Sequence, residues 1–235
     1  MMMLSRCQTL WHGKSGQREG EGRCGGDSGG LVNDLCSQLV AIFATRWPCG
    51  PVKPKVMIRL EFFERSDFEQ LMAWIDNEEL LMNWAGSLFS YPLTTESLEW
   101  YINDTNDPAN SEAMVYKAVD TVTGQTVGHI SLGSLSPRNR SGRITRVLVG
   151  TENQGKGYCC QMIKALLKIG FEEMQLHRIS LGVYDFNTAA LKCYQKAGMT
   201  IEGTNRDCLL YKGQWWSLVE MSMLEGEFFR GVDNG

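Results

Sequence analysis

Histidine is scarce in this chain, with only His12, His129 and His177 among 235 residues. None of the eight cysteines falls in a C-x-x-C pair, so no ligand set has metal-site spacing and no metal is expected. Long apolar runs are also missing. The best stretch, Leu39 to Phe43, falls far short of the roughly 18 residues of a membrane span, and Met1 to Trp11 lacks the apolar stretch of a secretory signal. A cytoplasmic protein with reduced, mostly buried thiols and no membrane partner is the expectation. The glycine patterns of nucleotide sites are absent too: no Lys-Ser/Thr pair stands at Walker spacing, and no first strand carries a dinucleotide fingerprint.

With 43% hydrophobic and 21% charged residues, the chain can bury a substantial core. Its charge divides unevenly. Residues 1-56 hold seven Lys+Arg against four Asp+Glu, and the remainder holds 16 against 23. An acidic remainder suits a cationic amine better than nucleic acid. From Gly13 to Gly30 the chain is rich in Gly, Ser, Arg and Glu, and three of its six prolines crowd into Trp47 to Pro54; both segments have linker composition. Periodic order begins at Met57. The expectation is a domain over residues 57-235 behind an extension over residues 1-56, with Met57 as an ancestral start site. Within the extension, Gly26-Asp27-Ser28-Gly29-Gly30 resembles the nucleophile segment of trypsin-like proteases. Only His12 precedes Ser28 and there is no room for two barrels, so a glycine loop without function is expected.

The remainder reads as α+β: a mixed, mostly antiparallel sheet flanked by helices. Ile58, Leu60 and Phe62 alternate as a strand, and Phe68, Leu71, Met72 and Ile75 recur with helical period behind Ser66 and Asp67. Short helices follow at Leu80 to Met82 and Thr95 to Ile102, separated by a loop carrying Trp84, Phe89, Tyr91 and Pro92. Met114 to Val119 and Thr126 to Leu132 form a hairpin, and Ile144 to Val149 is a further strand. A helix over about Gly155 to Glu172, a strand Ile179 to Tyr184, and a helix Thr188 to Ala197 between Asn187 and Gly198 come next. Strands at Thr200 to Tyr211 and Trp215 to Leu224 close the domain.

The feature that points to chemistry is a strand followed by Gln154-Gly155-Lys156-Gly157-Tyr158 and a helix. Glycines at a helix N-terminus let backbone N–H groups approach an anion, and the helix dipole favours negative charge, so the loop is suited to phosphate. Gln154, Gly157 and Cys159 fall on the Gln/Arg-x-x-Gly-x-Gly/Ala signature, and Asn187, Ala190, Tyr194 and Gly198 make a second pattern. In both, the sequence resembles the GNAT superfamily of N-acetyltransferases, with Cys159 in place of Gly or Ala. Through Glu202-Gly203, Arg206 and the last strand it is similar to the Rim-type branch, whose members act on ribosomal proteins. The resemblance implies acetyl-CoA as cosubstrate. Val147, Leu148 and Val149 would pair with the pantetheine arm; Gln154, Gly155, Lys156, Gly157, Tyr158 and Cys159 would hold the pyrophosphate; Asn187 would steady the cofactor.

The implied reaction moves an acetyl group onto a primary amine, either a small molecule or a protein N-terminus, in a ternary complex. An amine of pKa near 10 is only about 0.1% free base at pH 7, a handicap of roughly 4 kcal/mol. Arg143 to Val149 contains no carboxylate to relieve it, which leaves Asp185 and Glu220 as candidate bases. Tyr194 is the candidate acid for the departing thiolate. His129 reads as a satisfied core or surface histidine. Trp84, Phe89 and Tyr91 are the expected acceptor pocket. Monomer and homodimer both fit, and a degenerate acyl-CoA sensor without turnover is the alternative function.

Overall fold

The computed structural model describes residues 58–233. The expected extension, its Gly26 to Gly30 motif and the start at Met57 lie outside the described residues. Seven strands form one sheet in the order β1-β2-β3-β4-β5-β7-β6, where β1 is Ile58–Phe62, β2 Met114–Asp120, β3 Thr126–Ser136, β4 Ser141–Val149, β5 Arg178–Tyr184, β6 Thr200–Tyr211 and β7 Gln214–Leu224. Only β4 and β5 run parallel. The helices are α1 (Phe68–Trp74), α2 (Glu78–Ala85), α3 (Thr95–Ile102), α4 (Tyr158–Lys168), α5 (Thr188–Lys196) and α6 (Glu225–Asp233).

Strand alternation creates two apolar layers. Met114, Tyr116 and Ala118 face a core with Met162, Ile163 and Leu166 of α4 and Tyr194 of α5, while Val115 between them faces Leu71, Leu81, Trp84 and Leu98 of α1 to α3. Thus α4 and α5 cover one face of the sheet and α1 to α3 the other.

Register explains why the sheet opens in the middle. Along β3 the pairing advances two residues, from His129 to Ser131, while along β4 it advances three, from Leu148 to Thr145. The extra residue is a β-bulge, with Arg146 in the left-handed region at φ 52°. Pairing of β4 with β5 runs from Ser141↔Arg178 to Ile144↔Leu181 and stops there. Beyond that point β4 follows β3 and β5 follows β7 as far as Tyr184↔Leu218, so the two strands part.

Several boundaries depart from the sequence reading. α4 begins at Tyr158 because Gly155 and Gly157 sit at φ 73° and 84°, outside helical space. It closes in a π-helical turn over Ile169–Glu173. α2 extends through Trp84, which therefore stands on a helix and not in a loop. The terminal helix α6 has no counterpart in the sequence reading; its Phe228 ring packs 5.1 Å from Phe171.

Candidate active site

The parting of β4 and β5 opens a cavity of about 760 Å³, within the range of small-molecule sites. Leu80 and Trp84 of α2 wall one end, and Ala190, Cys193 and Tyr194 of α5 wall the other. Because these helices lie on opposite faces of the sheet, the cavity passes through it.

On the α4–α5 side stand most of the residues that the sequence singled out for the cofactor. Val147, Leu148 and Val149 line the cavity, as do Gln154, Gly155, Gly157, Tyr158 and Cys159. The N-terminus of α4 has no side-chain cap, and a Cβ built on Gly155 or Gly157 would meet nothing within 4 Å. Uncapped N–H groups beside open space can receive an anion. Tyr158 anchors this turn from behind: its hydroxyl donates to Asp120 Oδ2 at 2.6 Å, and that bond is the main cause holding the Asp120 carboxyl below its ordinary range. Lys156 turns back, its Nζ 3.3 Å from Asn153 Oδ1. Asn187 lines the cavity while its Oδ1 accepts from the Ala190 amide at 3.2 Å, capping α5. Lys192 and Lys196, one helical turn apart, add positive charge to this wall.

Tyr194 lines the cavity and is 6% exposed. Burial, followed by the neighbouring Cys159 and Cys193 thiols, holds its phenol well above the usual value, so it keeps its proton through the neutral range. The Cys193 thiol lies 2.8 Å from Cys159 Sγ, and this hydrogen bond, ahead of burial, pushes the Cys193 thiol far up.

Neither of the two carboxylates expected as bases lines the cavity. Asp185 is exposed on the loop after β5. Glu220 is gripped by the Arg143 guanidinium at 2.8 and 3.0 Å and accepts from Asn205 Nδ2 at 3.3 Å. Among the described residues that line the cavity there is no Asp or Glu; its charged members are Arg143, Arg146, Lys192 and Lys196.

The expected aromatic pocket is divided. Trp84 is on the wall; Phe89 is buried behind it, with ring centroids 5.9 Å apart; Tyr91 is exposed and its hydroxyl donates to the Asp76 carbonyl at 2.8 Å. His129 is in the core but only half satisfied. Its Nδ1 lies 3.0 Å from the Arg146 carbonyl, which can only accept, so Nδ1 carries the proton and the buried Nε2 has no partner. Burial is the main cause that pushes its pKa down to about 4, so the ring is neutral. Sequence reasoning passed over Arg146, although an arginine inside the apolar run from Ile144 to Val149 was a signal.

Comparison with known proteins agrees with this fold. Residues 58–200 match the family model described as an acetyltransferase (GNAT) domain. An uncharacterized N-acetyltransferase of Bacillus subtilis is 35% identical over 75 residues, spanning 32% of this chain and under half (44%) of that protein. The spermidine N(1)-acetyltransferase of Escherichia coli K12 is 21% identical over 171 residues, 73% of this chain and 88% of its own. The crystal structure of Vibrio cholerae spermidine N-acetyltransferase with CoA and spermine superposes with a TM-score of 0.64 at 21% identity, covering 74% of this chain and 98% of that one. With a family model that spans the strands, the glycine turn and α5, the chain belongs to the GNAT acetyltransferase family and is an acetyl-CoA-dependent N-acetyltransferase.

Proposed function

We propose that the chain moves an acetyl group from acetyl-CoA to a primary amine by direct attack in a ternary complex, in the cytoplasm. One observation carries this reading: the cavity crosses the sheet at the β4–β5 fork, so two reactants can enter from opposite faces and meet beside Tyr194. The residues present fit the cosubstrate. The uncapped amides of residues 154–159 would hold its pyrophosphate, the free edge of Val147 to Val149 would pair with its amide arm, and Lys192 and Lys196 would face its phosphates. When bound, acetyl-CoA supplies an acetyl group activated as a thioester.

The chain's own part is to position, to exclude water and to hold one proton. As the N–C bond forms and the C–S bond breaks, the amine loses a proton and the sulfur gains one; Tyr194 Oη holds the proton that the sulfur needs. No carboxylate on the described wall takes the amine's proton, so the amine enters as free base or gives its proton to solvent. Small-molecule amines, polyamines among them as in the spermidine-acetylating relatives, and polypeptide N-termini are the acceptor classes to screen. Initial rates with both substrates varied test the reading. Intersecting double-reciprocal lines are expected, whereas parallel lines would indicate an acyl-enzyme and refute direct attack. We also place the whole activity in residues 57–235. Protein lacking residues 1-56 should melt at the same temperature and gain the same increment with CoA; aggregation or loss of the increment would assign the extension to the fold.

A further inference from the structure

The acceptor half of the cavity wall, and the layer just behind it, hold hydrogen-bond donors without acceptors. Trp84 lines the cavity and is 7% exposed, yet its indole N–H meets no acceptor among the described residues. Tyr101 is equally buried, its ring 6.4 Å from that of Trp84, and its hydroxyl, close to Ser131 and Arg146, makes no hydrogen bond of normal geometry. Arg146 lines the cavity too. Its guanidinium lies 4.8 Å above the Tyr101 ring, and one of its nitrogens donates to Thr145 Oγ1 at 2.9 Å and to Ser131 Oγ at 3.3 Å. Its Nε–H is buried without a partner, and none of the ion pairs among the described residues includes it.

Buried donors left unpaired are costly, and native structures keep them where something else accepts. Here two of them, on Trp84 and Tyr101, lie near an arginine that has no counter-ion and carries the third. The bulge places Arg146 two residues past the last β4–β5 pair, at the mouth of the fork. The fourth unpaired atom, His129 Nε2, is of the opposite kind, an acceptor, with its ring 5.4 Å from Trp84 and 5.9 Å from Tyr101. On the wall itself stand Trp84 and Arg146, an unpaired donor and a cation with a second one, which match a carboxylate; Tyr101 and His129 are buried behind them. A polycation would find no carboxylate on the described wall, whatever the acidity of the outer surface.

Resting on the acetyl-transfer reading above, we propose that the acceptor is a small amine bearing a carboxylate, of amino-acid type, with the carboxylate on Arg146 and the indole N–H of Trp84, the two unpaired donors whose side chains line the cavity. A guanidinium fork with an added indole donor is a lining that selects a planar oxyanion.

Matched pairs test this on the full chain with acetyl-CoA: amino acids, their carboxamides, spermidine, and a peptide with a free N-terminus and an amidated C-terminus. The expected result is a preference of at least about tenfold in kcat/KM for acid over carboxamide, the size of one charge-assisted bond. The carboxamide's amine is the less basic, so free-base supply works against this outcome. Arg146→Gln should bring the acid-to-carboxamide ratio close to one, and Arg146→Lys should restore part of it. Spermidine, carboxamide or peptide as the best acceptor would overturn the proposal while leaving acetyl transfer intact, as would an unchanged ratio in a folded Arg146→Gln protein. Should that variant melt early, Trp84→Phe removes a single N–H and must lower the ratio in its place. If no amine is acetylated, the acetyl-transfer reading fails, and calorimetric titration of the CoA-loaded protein with an amino acid decides the carboxylate site separately: no heat overturns it, and binding lost in Arg146→Gln supports it.

Discussion

On the α4–α5 side of the cavity no buried polar side-chain atom among the described residues lacks a partner: Tyr158 bonds Asp120 and Asn187 caps α5, while Lys156 beside them reaches Asn153. On the α2–α3 side, Trp84, Tyr101, His129 and Arg146 each bury an atom without one. The first side presents backbone amides and glycines, the material for a ligand whose phosphates are the same in every turnover. The second presents side chains whose hydrogen-bonding capacity is still open, the material for choosing among ligands. Cofactor binding and acceptor choice should therefore separate under mutation.

The largest effect is expected where the halves meet. Tyr194→Phe removes one hydroxyl and keeps the ring that packs with Met162 and Leu166. If Tyr194 Oη supplies the proton to sulfur, kcat should fall on the order of 10²-fold, with the KM for acetyl-CoA nearly unchanged. The sign of the pH dependence follows from the raised phenol. A group whose folded pKa lies above its ordinary value of 10.0 stays protonated past that pH, so Tyr194 causes no alkaline loss below about pH 10. Rate at low acceptor concentration should instead climb close to tenfold per pH unit from pH 7 until the amine's own pKa, because only the free base attacks. A Phe variant with wild-type kcat would make Tyr194 a packing residue, and a flat profile from pH 7 to 9 would call for a base that the described wall does not provide.

A smaller but more selective break is Gly157→Val. At φ 84° a β-branched residue costs about 1–2 kcal/mol in backbone strain, and a Cβ there touches nothing. The melting point should drop by only a few degrees. The side chain would project into the space that the phosphate needs, so CoA affinity should weaken at least about tenfold by calorimetry. The acid-to-carboxamide preference of the residual activity should survive, since that choice is made across the sheet. Loss of both together would erase the division between the halves.

Unequal legibility in the sequence follows the same division. The glycine turn, the Asn187 cap and the phase of α4 are set by residues within one or two helical turns of each other, and local pattern carries such information. The fork, by contrast, arises from a three-for-two count between β4 and β3 that only the register reveals. Arg146 acquires its position from that bulge, and His129, Tyr101 and Trp84 come together from β3, α3 and α2, far apart in the chain. The sequence pattern places Trp84 in a loop after Leu80 to Met82, whereas the helix runs to Ala85 and turns at Gly86 with φ 60°. Asp185 and Glu220 were chosen by charge and order alone, and nothing local discloses that Arg143, 77 residues earlier, already occupies Glu220.

That occupation yields the smallest expected effect on rate, in Glu220→Gln. As a general base Glu220 would have to release a lone pair to the amine, but both of its oxygens accept from Arg143 and one also from Asn205. Strut and base predict different numbers. Losing a base should cost 10² or more in kcat and flatten the acid limb of the profile. Losing a strut weakens a pair whose side chains are 31% and 27% exposed, so solvent screens it and the stability change should stay on the order of 1 kcal/mol. Because Gln keeps one carbonyl oxygen for Arg143, kcat should change by less than about threefold and the pH profile should keep its shape. Arg143 lines the cavity and the loosened guanidinium has more freedom there, so any change should appear in the acceptor's KM and leave CoA affinity alone. A hundredfold loss of kcat at an unchanged melting temperature would return Glu220 to the chemistry, and with it the need for a conformer in which Arg143 lets go.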